Sequence, residues 1–292
     1  MDNLYFDYAK FQKELLSLKV KYPGIKLIPA AKSRMGRDIF ALTAGNPLHA
    51  NFIIGGFEGD GILSVKTVIS FARRYFDALF SEKVLCEINI KKAAEERTAV
   101  FIPCLNPDGA EIFSAGTAAG LPWLQKSAAF FGRQTENYQA NAGGVELEGN
   151  FDHDFADRTQ KERLSGKFTK SPFGFSGQKA FSEPETAGLR NFLTSFEPNL
   201  ICRLSGGKGE ILWRSDSPHK NSKRIAKVLS SLSGYAMEAE ISDSSAGTFR
   251  KWASAALKAP CIDIKLPQIS SVHTADKIFA ELLETLAVAA VI

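Results

Sequence analysis

With 292 residues, 45% of them hydrophobic, the chain has enough apolar material to bury a sizeable core, and nothing in its composition signals disorder. Its 36 Lys and Arg stand against 32 Asp and Glu, and the resulting net charge of +4 is too weak and dispersed to make a nucleic-acid surface. Cys86, Cys104, Cys202 and Cys261 lie far apart in apolar stretches without C-x-x-C spacing, the pattern of reduced, buried core thiols rather than of a metal site.

The amino terminus, MDNLYFDYAKFQKELL, begins acidic and polar and has no basic segment leading into an apolar run, so it reads as an amphipathic helix and not as a signal peptide. Phe11, Leu15 and Leu18 give that helix its apolar stripe over Tyr8 to Tyr22, and Pro23-Gly24 ends it. KLIPAAKS and RDIFALTAG flank Met35-Gly36 as an antiparallel hairpin. NFIIGGF is a wholly apolar run ending in glycines, as expected of a strand buried on both faces whose carboxyl end opens into a site. A helix over Ser64 to Phe80 follows, and TAVFIPCLNPDG, NLICRLSGGKGEILW and APCIDIKLP supply three more buried strands.

Strands alternating with helices predict a three-layer α/β/α fold with a mixed, mostly parallel central sheet, whose site gathers outside the carboxyl ends of the strands. The long polar stretch from Gly109 to Pro184 lacks strong periodicity, and loops of that length in a compact domain are usually functional. The terminal IFAELLETLAVAAVI carries two glutamates and is shorter than the ~20 residues of a membrane span, so it reads as a buried helix. No repeat or linker divides the chain, which is taken as one domain over 1–292, without a membrane or nucleic-acid partner and with a cytoplasmic location.

Several segments, in order, resemble the zinc metallocarboxypeptidases, in particular bacterial members acting on peptidoglycan stem peptides. KSRMGRDIFAL matches S-x-x-G-R-x-I-x-x-L, FIIGGFEGDG is similar to I-G-G-x-H-G-x-E, LNPDG is unchanged, and NAGGVELEGNF is similar to N-x-x-G-V-D-L-N-R-N-F. SEPET is intact, and GTFRKWA and APCIDIKL resemble the segment with the catalytic glutamate.

The resemblance implies a zinc held by H-x-x-E and a later His, with a fourth position for water. Those three positions here hold Glu58, Gly61 and Ser205. His49, His153, His219 and His273 lie elsewhere, with no i,i+3 or i,i+4 pair among them. Lys265 aligns with the general base, a cation where a base is needed. Gly149 aligns with the arginine that contacts the substrate carboxylate, Glu148 with the asparagine before it, and Gln139 with a basic residue that steadies the oxyanion. An anionic Glu148 would repel a substrate carboxylate.

The retained residues, Asn106 to Gly109, Asn150-Phe151, Ser182 to Thr186 and Trp252, are turn, cap and packing positions, with Ser182 or a neighbour capping a helix that has proline in its first turn. Lys265, with Lys208, is expected to bring its ammonium near Glu58 and Asp60 and so replace part of the metal's charge. A Ser205–Lys265 nucleophile is the lesser alternative.

The reading that follows is a catalytically degenerate family member that needs no cofactor, although its family uses zinc. It would bind a peptide-like or peptidoglycan-stem-like ligand, or a protein partner, in a pocket with Gln139, Glu148, Gly149, Asn150 and Lys208 as candidates. The alternative is an active metallocarboxypeptidase or amidohydrolase with relocated ligands that recruits His153. The glycines of GGFEGDG and SGGKG do not match G-x-x-x-x-G-K-[ST] and read as strand-end turns, not as a phosphate loop.

Overall fold

The computed structural model describes residues 5–45, 49–115, 137–167, 169–214, 218–238, 248–270 and 274–292. Its centre is an eight-stranded mixed sheet in the order β1-β2-β6-β3-β7-β10-β8-β9. The members are β1 (Lys26–Lys32), β2 (Asp38–Thr43), β3 (Ala50–Ile54), β6 (Thr98–Ile102), β7 (Leu200–Gly207), β8 (Glu210–Leu212), β9 (Ala236–Glu238) and β10 (Cys261–Pro267). Two short strands, β4 (Val84–Leu85) and β5 (Ile88–Asn89), form a separate hairpin that leads into α3 (Ile90–Glu96). The run β6-β3-β7-β10 is parallel throughout, and β1-β2 is the antiparallel hairpin that the sequence predicts.

Strand alternation divides the core cleanly. On one face Leu200, Cys202, Leu204, Ile262 and Ile264 pack under α1 (Tyr8–Lys21), α2 (Ile62–Phe80), α7 (Ser222–Ser233) and α9 (Ala275–Val291). On the other face Phe52, Ile54, Ile201 and Cys261 pack under α6 (Pro184–Leu193) and α8 (Phe249–Leu257). The expected three layers are therefore present. Among the described residues no helix is long and apolar enough to cross a membrane, and α9 instead buries Ile278, Leu282 and Leu286.

The connection between α4 (Pro107–Ala115) and α6 is not all loop: it holds α5 (Phe155–Leu164), a helix whose one buried residue is Glu162, so no apolar period announces it. NLICRLSGGKGEILW also resolves into two strands. After the turn at Lys208-Gly209, β8 pairs antiparallel with β10 and not with β7. Three of the cysteines are buried as expected, whereas Cys86 is half-buried between β4 and β5; none forms a disulfide.

Asparagine and aspartate side chains fasten the loops that will frame the site. Asn106 caps α4 by accepting from the Gly109 amide at 2.9 Å, and its Nδ2 donates to the carbonyls of Phe57 and Ala140, both at 3.1 Å. Asp108 is wholly buried and accepts from Ser33 Oγ (2.9 Å), the Met35 amide (2.8 Å) and Arg37 Nη1 (2.9 Å), which locks the β1–β2 turn against α4. Pro184 opens α6 as predicted, but the cap differs from expectation. Glu183 is the N-cap residue, no side chain caps the helix, and Ser182 Oγ instead donates to Glu183 and accepts from Asn150.

Glu185, in the first turn of α6, is buried and accepts from the Arg34 amide at 2.9 Å and from Asn141 Nδ2 at 3.2 Å. Burial nevertheless dominates and pushes its carboxyl up to about 8, so the folded state favours the protonated form. That contribution is complete below the unfolded carboxyl's range and is lost as pH rises through about 8. Urea unfolding should accordingly give a stability that declines from about pH 5 to about pH 8, with a shallower decline in Glu185→Gln. An unchanged slope in the variant would contradict the assignment.

Candidate functional site

The carboxyl ends of β3, β7 and β10 open into a cleft of about 700 Å³. Glu58 and Asp60 reach it from the loop after β3, Glu148 from a single 3-10 turn over Leu147–Gly149, Gln139 and Glu146 from the segment before that turn, and Lys265 from β10. Gly206 and Gly207, at the end of β7, also line it.

A buried residue earlier on β7 organises the site. Arg203 projects from β7 and is only 2% exposed. Its Cα is in register with that of Asp263 on β10, and the two side chains form a two-point pair, Nε to Oδ1 at 2.9 Å and Nη2 to Oδ2 at 3.0 Å. Arg250 from α8, also buried, donates its Nε to Asp263 Oδ2 at 3.0 Å. The remaining terminal nitrogen, Nη1, forms an ion pair with Glu148 and lies 3.9 Å from Glu58 Oε1.

Arg203 also lies over an aromatic platform. Its guanidinium carbon is 5.3 Å from the Phe57 ring centre, and Phe57 packs on Phe249 at 4.9 Å, which packs on Phe151 at 5.1 Å. Stacking of a planar cation on a ring suits arginine, and each close aromatic pair adds about 0.5–1.5 kcal/mol beyond its burial.

Burial by itself would raise the Asp263 carboxyl, but the two guanidinium groups outweigh it and hold that carboxyl below its usual range, with Lys265 adding to the effect. Burial likewise opposes the Arg203 cation, and Asp263 and Glu58 more than restore it. Asp60 sits differently. Burial, reinforced by Glu58, pushes its carboxyl up to about 6, and its side-chain neighbour is Gln139 Nε2 at 3.5 Å.

The structure places Glu58, Gly61, Gln139, Glu148 and Lys265 around the cleft, and the other candidates are not among its lining residues. Lys208 is exposed on the β7–β8 turn and does not line the cleft. Asn150 is turned into the framework, donating to the Ser176 carbonyl (2.7 Å) and accepting from Thr186 Oγ1 (2.6 Å). Gly149 is buried, and a Cβ there would collide with Ser176 Oγ and the Arg158 guanidinium. Glu148 is not the free anion expected, because Arg203 neutralises it.

Arg203, which sequence reasoning passed over as part of an apolar strand, brings a cation to within 3.9 Å of Glu58. Ser205 and Lys265 are register partners on neighbouring strands, but Ser205 Oγ makes no hydrogen bond, so the pair is not set as nucleophile and base. His153 faces Asp154 at 3.2 Å and does not line the cleft; His49 faces Glu197 at 3.4 Å; His273 lies outside the described residues.

A family model described as zinc carboxypeptidase matches residues 12–268. The chain belongs to the zinc carboxypeptidase family. The carboxypeptidase A of Helicoverpa armigera has the same fold, with a TM-score of 0.71 at 15% identity over 98% of this chain and 73% of that one. Bovine thrombin-activatable fibrinolysis inhibitor superposes with a TM-score of 0.70 at 14% identity, covering 98% and 96% of the two chains. Murein-tripeptide amidase MpaA from Escherichia coli O157 gives 0.55 at 20% identity, covering 90% and 92%. In sequence, the chain is 20% identical over 238 residues to gamma-D-glutamyl-L-diamino acid endopeptidase 1 of Lysinibacillus sphaericus, a match over 79% of this chain that spans 58% of that protein.

The family's zinc can be tested against the side chains present. Among the described residues no group of three His, Cys, Asp or Glu is placed to hold a metal ion. At the centre, two carboxylates flank a buried guanidinium. A divalent cation there would be repelled by Arg203 and would find no imidazole or thiolate, so these residues do not fit zinc. Nor does Gly61 have room for a longer side chain as the backbone stands, since a Cβ would lie 2.9 Å from the Glu58 carbonyl oxygen.

Removing Arg203 would leave Asp263 and Glu148 short of a partner in a buried setting, a type of change that costs about 3–5 kcal/mol. Arg203→Ala should therefore lower the unfolding free energy by about that amount, and free guanidinium at concentrations well below denaturing should recover part of the loss while leaving the parent unaffected. Full stability in the variant without guanidinium would show that the network is dispensable.

Proposed function

We propose that this protein is a non-hydrolytic member of the zinc carboxypeptidase family that needs no metal and uses the old substrate cleft to bind a peptide-like or cell-wall-derived ligand. The observation that carries the reading is the buried guanidinium of Arg203, paired with Asp263 and Glu148 and close to Glu58, at the base of the cleft. It supplies a fixed positive charge at that point, and Lys265 places a second cation at the position where the resemblance implies the general base.

Two relatives support the ligand class. One is named for the γ-D-glutamyl–L-diamino acid bond and one for murein tripeptide, both cell-wall peptides. The cleft has the dimensions for such a ligand, about 700 Å³ with polar and apolar walls. A protein partner docking a chain end in the same cleft would use the same features.

Elemental analysis of the purified protein, before and after incubation with excess zinc and dialysis, tests the reading. The expected zinc content stays far below one equivalent, with no chelator-sensitive cleavage of peptides. About one equivalent of zinc, lost in Glu58→Ala or His153→Ala and accompanied by chelator-sensitive hydrolysis, would replace it with a rebuilt metallohydrolase site.

A further inference from the structure

Away from the cleft, positive charge is concentrated in one short stretch of the chain. Residues 158–179 hold six Lys or Arg against a single acid, Glu162. The stretch takes in most of α5 and the segment after it, and it borders a cavity of about 650 Å³ that shares no lining residue with the cleft. Thr159, Glu162, Arg163, Lys167, Phe175 and Gln178 line this cavity.

Glu162 does not offset the cations beside it. It is 8% exposed, and both its oxygens are engaged: Oε1 accepts from Arg158 Nε at 2.9 Å and from Ser176 Oγ at 2.6 Å, and Oε2 accepts from the Ser176 amide at 3.1 Å. Arg163 and Lys167 are exposed, and among the described residues neither forms an ion pair or a side-chain hydrogen bond. The cavity therefore presents two cations whose charge is not met within the protein.

A second observation is that Lys167 is held in place. Its ammonium lies 5.7 Å from the Phe173 ring centre, and its stem runs against Gly174, where a Cβ would stand 2.7 Å from Lys167 Cδ. Gly174 has a φ of +76° and donates its amide to Glu146 Oε2 at 2.9 Å, while the Glu146 amide donates to the Phe175 carbonyl at 2.7 Å. The wall that steadies the lysine is thus anchored in turn.

We propose that this cavity is a second binding site, which takes the phosphate of a small phosphate ester, with Arg163 and Lys167 meeting the dianion. A phosphate monoester carries a charge of about −1.5 to −2 at neutral pH, which two cations match and the single charge of a carboxylate does not. The planar fork of arginine grips two phosphate oxygens, and lysine adds a point charge. An anionic lipid headgroup offers the same group, and the exposed Leu164 and Phe173 stand next to Arg163 in sequence and against Lys167 in space. The assignment is independent of the non-hydrolytic reading of the cleft.

Calorimetric titration of the full chain at low ionic strength compares glycerol 3-phosphate with glycerate, its singly charged carboxylate counterpart. The ester should bind saturably, about tenfold or more tighter than glycerate. Arg163→Gln and Lys167→Gln should each weaken it about tenfold, whereas Lys179→Gln, at an exposed cation of the same stretch that does not line the cavity, should leave it unchanged. Sedimentation with vesicles of phosphatidic acid in phosphatidylcholine then identifies the source. Co-sedimentation that glycerol 3-phosphate displaces assigns a lipid headgroup, and any other sedimentation result assigns the free ester. No saturable binding of the ester, equal affinity for glycerate, or equal losses in all three variants would overturn the proposal, the last because it would show diffuse attraction to a basic surface in place of a site.

Discussion

The paired hydrogen bonds between Arg203 and Asp263 fix the geometry of everything around them. They join neighbouring parallel strands at a matched register, 60 residues apart in sequence, on the face of the sheet that carries the site. Their position decides where Glu148 and Glu58 find a cation, and Arg250 ties α8 to the same carboxylate. An isolated buried ion pair seldom adds net stability over a well-packed apolar pair. Here five charged groups share the desolvation cost, and the arrangement gains a defined register and a defined charge at the cleft base.

The sheet was legible because its parallel strands are short apolar runs ended by glycine or proline, at Gly55-Gly56, Pro103 and Pro267. The β1–β2 hairpin and the start of α6 were legible for equally local reasons, a Met-Gly turn and a proline at a helix N-terminus. Helix α5 was not, since its stability comes from Arg158, Glu162 and Ser176 bonding one another and not from an apolar stripe. Strands β8 and β9 have three residues each, too few for any period to register.

At the site, aligned positions drew attention to Lys265 and not to Arg203. Lys265 was conspicuous because it stood at a position with a known role, while Arg203 was hidden in a strand read as apolar. The signal was nonetheless present. ICRL and CIDI each place one charged residue, of opposite sign, inside a run that must be buried on both faces, and two such charges can be tolerated only if they meet. Lys208 and Asn150 are near the site in sequence but do not line the cleft, because proximity in sequence says nothing about where a side chain points.

The crowding at Gly149 has a consequence for the routes by which this sequence can change. An arginine introduced there would need the volume already filled by Ser176 and by Arg158, a residue nine positions along the chain that is itself held by Glu162. At Gly61 the obstacle is the backbone carbonyl of Glu58. A side chain at Gly149 requires Ser176 and Arg158 to move, and one at Gly61 requires the backbone at Glu58 to shift. Substitutions at these two positions are therefore coupled to the side chains and backbone around them, so restoring a longer side chain at either one involves its neighbours as well.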